Sequence, residues 1–155
     1  VVQKTVTLEL NKNTVSGLPT QAADATSACT FTTTVGDVTY SFGASANVYS
    51  SDTTYTMLKS QAGDAYIFNK TAFGTNILSI EITTGSKASP AATYAVEFAS
   101  SENGAAVTTT EAVNVSNGQS YTFNNEAAGM NYFQLASKNS RKNGQIAKIV
   151  ITYTL

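Results

Sequence analysis

Apolar and polar residues alternate along most of this chain with a period of two. Val6, Leu8 and Leu10 share one phase with Thr7 and Glu9 between them, Val38, Tyr40 and Phe42 repeat the pattern around Thr39 and Ser41, and Tyr94, Val96 and Phe98 around Ala95 and Glu97. Successive side chains of an extended segment point to opposite faces, so each run predicts a strand with one dry and one wet face. Leu78-Ser79-Ile80-Glu81-Ile82 and Ile149-Val150-Ile151-Thr152-Tyr153 are densest in β-branched residues, which predicts central strands partly covered on both faces. Asn103-Gly104, Asn117-Gly118 and Asn143-Gly144 predict chain reversals, because Asn-Gly tolerates the positive φ of tight turns. Val113-Asn114-Val115 and Tyr121-Thr122-Phe123 are expected to form a hairpin about the second of these steps. Gly36-Asp37 is expected to join another, between Phe31-Thr32-Thr33-Thr34-Val35 and Val38-Thr39-Tyr40-Ser41-Phe42. Three-four spacing never persists beyond about two turns. The Ala-rich stretches 21–28 and 126–130 are the only places where a short helical turn fits.

Many short strands with no long helix to cover them must bury their apolar faces against each other. The fold class is therefore all-β, an antiparallel two-sheet β-sandwich, with a jelly-roll preferred. The alternative, an immunoglobulin-like sandwich, lacks its Cys…Trp…Cys signature, since the chain has one cysteine and no tryptophan. Pro19 and Pro90 are the only prolines and neither sits in a linker-like stretch, so residues 1–155 read as a single β-sandwich domain.

Composition narrows the function. Nine basic and ten acidic side chains give a formal charge of −1, which offers no cationic surplus to a phosphate backbone and argues against nucleic acid as a partner. The chain has no histidine, which removes Ser-His-Asp and Cys-His catalysis and imidazole metal ligation. Cys29 is the sole cysteine, so no intrachain disulfide forms, and its place in an alternating run reads as a small buried apolar residue. Asp52, Asp64 and Glu126 are too dispersed for a calcium loop, so no metal and no cofactor is expected. No window is long and apolar enough to span a membrane, no basic-then-apolar leader is read within the sequence, and the start at Val1-Val2-Gln3 reads as a mature or excised segment. Abundant Thr, Ser and Asn with scarce Lys and Glu point to an extracellular, secreted location.

Three segments carry a resemblance. Gly63-Asp64-Ala65-Tyr66-Ile67-Phe68-Asn69-Lys70-Thr71-Ala72-Phe73-Gly74 leading into Ile77-Leu78-Ser79-Ile80-Glu81-Ile82, then Ser120-Tyr121-Thr122-Phe123, and finally Gly144-Gln145-Ile146-Ala147-Lys148-Ile149-Val150-Ile151-Thr152-Tyr153 are the segments concerned. Together they resemble β-sandwich accessory modules of secreted proteins from gut and rumen bacteria and some of their phages. Some of those look like carbohydrate-binding modules attached to polysaccharide-degrading enzymes, others like structural or adhesive pieces. The resemblance implies a fold, and its soft strand patterns transfer no site residue.

Sugar binding needs flat apolar faces for pyranose C–H groups and a rim of hydrogen-bonding groups, and tyrosine supplies both. Of the eight tyrosines, those off the core phase are the candidates. Tyr132 and Gln134 are expected to point outward if Phe133 and Leu135 point in. Tyr49 and Tyr55 flank the polar stretch Ser50-Ser51-Asp52-Thr53-Thr54, which suggests loop or strand-end positions. Tyr66 and Phe68 lie opposite Ile67, so one of the two sets is exposed. In the charged loop Ser137-Lys138-Asn139-Ser140-Arg141-Lys142-Asn143-Gly144, Lys138, Asn139 and the sole arginine, Arg141, are candidate donors to sugar hydroxyls or acidic sugar groups.

The leading reading is a non-catalytic carbohydrate-binding module that recognises a soluble polysaccharide or oligosaccharide, with a catalytic domain of a larger parent protein as a companion. The alternative is a structural assembly or adhesion domain, such as a fibre, pilus-like or phage decoration unit, pairing through its terminal strands, residues 1–10 and 146–155. A third reading, a glycosidase, requires Glu81 and Glu97, both out of core phase, to meet on one outer face.

Overall fold

The computed structural model describes residues 1–87, 91–106, 108–139 and 142–155. Fourteen strands follow in order among them: β1 (Gln3–Glu9), β2 (Val15–Ser16), β3 (Cys29–Val35), β4 (Val38–Ala44), β5 (Val48–Tyr49), β6 (Thr56–Leu58), β7 (Ala65–Asn69), β8 (Asn76–Thr84), β9 (Ala92–Ala99), β10 (Thr108–Thr109), β11 (Val113–Val115), β12 (Ser120–Asn124), β13 (Tyr132–Ser137) and β14 (Gly144–Thr154). One 3-10 turn, Ala22–Asp24, falls in the first Ala-rich stretch; the second, 126–130, holds bends and no helix.

The strands form two antiparallel sheets. One has the order β12-β8-β14-β6-β5, with β1 also paired to β14; the other runs β10-β9-β13-β7-β4-β3-β2, with β11 also paired to β9. From β7 to β9 the chain changes sheet at every step, then turns back beside β9 as β10 and β11, crosses to β12, and alternates again through β13 and β14. Strands β1, β14, β8 and β12 therefore lie in one sheet and β7, β13, β9 and β11 in the other, a jelly-roll sandwich with the β3–β4 hairpin beside β7, in which β1 lies against β3 and β14 against β9.

Burial follows the alternation. Val6, Leu8, Leu10, Ile80, Ile82, Val96, Phe98, Phe133, Leu135, Ile149 and Ile151 fill the space between the sheets. The two richest β-branched segments are indeed adjacent central strands, β8 and β14. Register shifts in that pair move the phase: Ile77 is buried while Leu78 is half-exposed. The β3–β4 hairpin turns at Gly36-Asp37 as expected, with Val35 opposite Val38 and Gly36 at φ 60°. Its tip overhangs the sandwich, which leaves Val38 exposed although Phe42 in the same phase is buried.

Two expectations about turns are corrected. Residues 113–115 and 121–123 do not pair as a hairpin: β11 pairs with β9 and β12 with β8. Gly118, at φ 68°, reverses the chain, but the reversal arches from one sheet to the other because each strand finds its partner at a different sheet edge. Gly144 opens β14, at the end of the connection from β13, without the expected positive φ, and crowding favours glycine there, since a Cβ would stand 2.5 Å from Ser137 Oγ. The terminal strands pair with each other within the chain, from Gln3 opposite Thr154 to Glu9 opposite Lys148. Among the described residues no helix is long and apolar enough to cross a membrane.

Candidate functional site on the eight-stranded sheet

The registers of four neighbouring strands set one row of residues across the sheet. Gly43 of β4 lies opposite Phe68 of β7, Phe68 opposite Gln134 of β13, and Gln134 opposite Glu97 of β9. The residues on either side of each, Phe42 and Ala44, Ile67 and Asn69, Phe133 and Leu135, Val96 and Phe98, are buried. The row therefore faces outward. At a strand spacing of about 4.8 Å it spans roughly 14 Å.

Phe68 lies flat on that surface. A Cβ built on Gly43 would stand 2.1 Å from its Cζ and 2.6 Å from both Cε atoms, and these near-equal distances mean that a ring face, not an edge, covers the glycine. The ring is half-exposed. Tyr66, two residues back, has its ring centroid 6.4 Å from that of Phe68 at an interplanar angle of 36°. It stands opposite Ala136, which stands opposite Ala95, and these small buried side chains make a low shelf beside the rings.

At the other end Tyr132 stands opposite Ala99. A shallow hollow there is lined by Tyr132, Gln134, Glu97, Ser101 and Asn103, and Gln134 Nε2 donates to Asn103 Oδ1 at 3.2 Å. Lys70 and Glu102 form an exposed ion pair of 3.2 Å on the neighbouring rim. Aromatic faces beside an amide, a carboxylate and hydroxyls are groups that can stack on a sugar ring and bond its hydroxyls.

The structure brings Tyr66, Tyr132 and Gln134 onto one outer face. Lys138 and Asn139 follow directly after β13 at the end of the same sheet. Both are engaged: Lys138 Nζ lies 2.7 Å from Asp64 Oδ2, and the Asn139 N–H donates to Asp64 Oδ1 at 2.8 Å. Partial burial raises the Asp64 pKa, but the bonds from Lys138 and Asn139 outweigh it and hold the carboxyl below its ordinary value. Arg141 lies outside the described residues.

Tyr49 and Tyr55 are not part of this face. Tyr49 ends β5, opposite Met57 in the six-stranded sheet, and Tyr55 immediately precedes β6. Burial, with a smaller contribution from the nearby Tyr55, raises the Tyr49 pKa. The Tyr55 ring packs over Gly85, where an added Cβ would stand 2.9 Å from its Cγ. The carboxylate pair is corrected as well. Glu81 is on β8 and Glu97 on β9, and with Ile80 and Ile82 buried on one and Val96 and Phe98 on the other, they face away from the sandwich on opposite sides. Cys29 is half-buried against the core, and burial raises its pKa, which disfavours the reactive thiolate.

Sequence reasoning missed Gly43 and Asn103, and it placed Phe68 only as the neighbour of Tyr66. A signal for the first exists, since a glycine in the interior of an alternating strand marks a place where something else approaches the backbone.

No protein-family model matches the chain, and no curated protein matches it in sequence. Solved structures do match. The lectin binding domain of Lectinolysin, complexed with Lewis b, is 10% identical, with a TM-score of 0.51 over 65% of this chain and 72% of that one. The likeness is one of fold. A cleaved adhesin domain of Lys-gingipain from Porphyromonas gingivalis W83 is also 10% identical, with a TM-score of 0.49 over 96% of this chain and 97% of that one. A low affinity xylan binding module from the gut symbiont Roseburia intestinalis is 9% identical, with a TM-score of 0.43 over 97% and 95%. The expected two-sheet antiparallel β-sandwich thus holds, and the lectin binding domain shares that fold.

Proposed function

We propose that this chain is a non-catalytic carbohydrate-binding module that lays a soluble polysaccharide across the outer face of its eight-stranded sheet. The observation that carries the reading is the row Gly43, Phe68, Gln134, Glu97, in which an aromatic ring lies flat beside an amide and a carboxylate. Phe68 and Tyr66 stack on pyranose C–H faces, Gln134, Glu97 and Asn103 bond the hydroxyls, and Tyr132 flanks the row on one side. Lys138 and Asn139 flank it on the other side, beyond the end of β13. The row is long enough for more than one sugar ring and, without tryptophan, too narrow for crystalline polysaccharide.

Glu97 is the only carboxylate in the row, whereas glycoside hydrolysis uses two flanking the scissile bond. A sandwich of the same architecture in the lectin binding domain of Lectinolysin is complexed with Lewis b, which supports glycan recognition by such a scaffold. The setting is an extracellular protein in which a neighbouring catalytic domain acts on the polysaccharide held here.

Affinity electrophoresis and isothermal titration against xylan, galactan, mannan and mixed-linkage glucan test the reading. Binding to at least one, weakened about tenfold by Phe68→Ala, is expected; tenfold is about 1.4 kcal/mol, within the contribution of one well-placed aromatic contact. Uniform absence of binding overturns it.

A further inference from the structure

We infer that the open side of the sandwich between β12 and β10–β11 is a docking site for an extended, cationic peptide segment that pairs with β12 as an added strand. A cleft of about 660 Å³ opens there, lined by Thr108, Thr109, Thr110, Glu111 and Val113 on one sheet edge and by residues 121–124 and Glu126 on the other.

The backbone of β12 faces this cleft with unpaired groups. The Thr84 N–H donates to the Gln119 carbonyl at 3.0 Å, and the Asn125 N–H to the Leu78 carbonyl at 2.9 Å. Hydrogen-bonded and non-bonded pairs alternate along an antiparallel ladder, so between these two points Tyr121 and Phe123 bond to β8. The N–H and C=O groups of Ser120, Thr122 and Asn124 then point the other way, and among the described residues no strand covers them. Such an edge is a template for another strand unless blunted by lysine, proline or a bulge, and Ser120–Asn124 contains none of these.

Side chains say what the added strand carries. Tyr121 is in core phase with Phe123, their rings edge to face at 4.9 Å, yet it is 40% exposed because the two sheet edges do not close over it. With Val113 it offers small apolar side chains a seat on the inward face. Among the described residues Glu111 and Glu126 are the charged members of the lining, so basic side chains are favoured alongside. A row of backbone donors and acceptors at strand spacing, apolar on one side and acidic at its rim, matches a polypeptide better than a glycan.

The probe is a blocked seven-residue peptide alternating valine and lysine, titrated into the whole chain while backbone amide resonances are followed. Saturable binding that shifts the amides of residues 120–124 is expected, weakened at least tenfold by N-methylating alternate peptide amides and several-fold by Glu111→Gln with Glu126→Gln. Equal affinity for the N-methylated peptide, shifts elsewhere, or no binding overturns the inference. So does displacement of those same resonances by an oligosaccharide in a manner lost in Tyr121→Ala, since that outcome makes the cleft a sugar site. The glutamine variants leave the row on the eight-stranded sheet intact, so failure here is separable from failure of glycan binding there.

Discussion

The phenol oxygen of Tyr94 on β9 accepts the backbone N–H of Gln145 on β14 at 2.8 Å and donates to the carbonyl of the same residue at 3.4 Å. This single side chain ties the two sheets together at one end of the sandwich. Tyr94→Phe keeps the ring and removes both bonds, leaving the buried Gln145 N–H unpaired, at a cost of about 1–3 kcal/mol. In a chain of this length each kcal/mol lowers the melting temperature by roughly 2–4 °C. Urea unfolding is expected to show that loss with an unchanged m-value, and a variant as stable as the parent would show that the tie carries no energy.

The same phenol makes stability pH-dependent. Burial pushes the Tyr94 pKa from about 10 to about 12, against the opposing effect of its bond to Gln145. Between those two values the unfolded phenol has lost its proton while the folded one keeps it, so the folded state binds more protons and stability falls as pH rises. The contribution is complete below pH 10 and lost by about pH 12, a difference of order 2–3 kcal/mol. Denaturant melts at pH 9.5 and 11.5 are expected to show the parent losing more stability than Tyr94→Phe over this interval. Parallel losses would place the alkaline sensitivity elsewhere.

At Asp52 the sign is reversed. A side-chain bond from Thr54, a second from Lys87 at 2.9 Å and the Thr54 N–H hold this carboxyl at a pKa of about 2. Its stabilising effect is present above the ordinary carboxylate value and is lost as pH falls towards about 2. Carboxyl carbon chemical shifts followed from pH 5 to pH 1.5 are expected to titrate late at Asp52. In Thr54→Ala the midpoint moves back up towards 3.8. An unmoved midpoint would assign the depression to Lys87 and the Thr54 N–H, with no share for the Thr54 hydroxyl.

How much of this was legible beforehand depends on the range of the interaction. The inward phase of Val6, Leu8 and Leu10, or of Tyr94, Val96 and Phe98, is a local property and could be read directly. So could the outward phase of Tyr132 and Gln134, because parity needs only neighbours. Leu78 defeated the same rule, since a register shift against β14 exchanges the roles of Ile77 and Leu78 and depends on the partner strand. Sheet membership is equally non-local: nothing around Asn117-Gly118 says that β11 and β12 belong to different sheets, and nothing near Glu81 or Tyr49 says that they stand away from Glu97 and Tyr66. The seat of Phe68 on Gly43 requires the pairing of β4 with β7, which parity within either strand does not contain.

That seat gives a test within the glycan-binding face. Gly43→Ala places a methyl group 2.1 Å from Phe68 Cζ, so the ring must lift or swing aside. The exchange removes a strand-interior glycine, which works in favour of stability, and the net change in melting temperature is expected to be small. Glycan affinity is expected to fall about tenfold, as in Phe68→Ala. Because both act through one ring, the double variant should be no weaker than either single one, whereas independent effects would multiply. A multiplied loss would mean that Gly43 serves the ligand by some route other than holding Phe68 flat.

Separation of the tyrosines into two groups predicts two phenotypes. Tyr66 neighbours the flat ring on the outer face of the eight-stranded sheet, while Tyr55 packs over Gly85 beside Gln145 of β14 in the other sheet. Tyr66→Ala removes half-exposed aromatic surface next to the stacking ring and is expected to weaken glycan binding several-fold with a loss of stability under about 1 kcal/mol. Tyr55→Ala opens a gap over Gly85 and is expected to lower stability by about 1–2 kcal/mol while affinity stays within twofold. Paired measurements of melting temperature and affinity on the two variants decide the matter. A loss of affinity in Tyr55→Ala equal to that in Tyr66→Ala, at full stability, would move the ligand to the six-stranded sheet and remove the role of the Phe68 row.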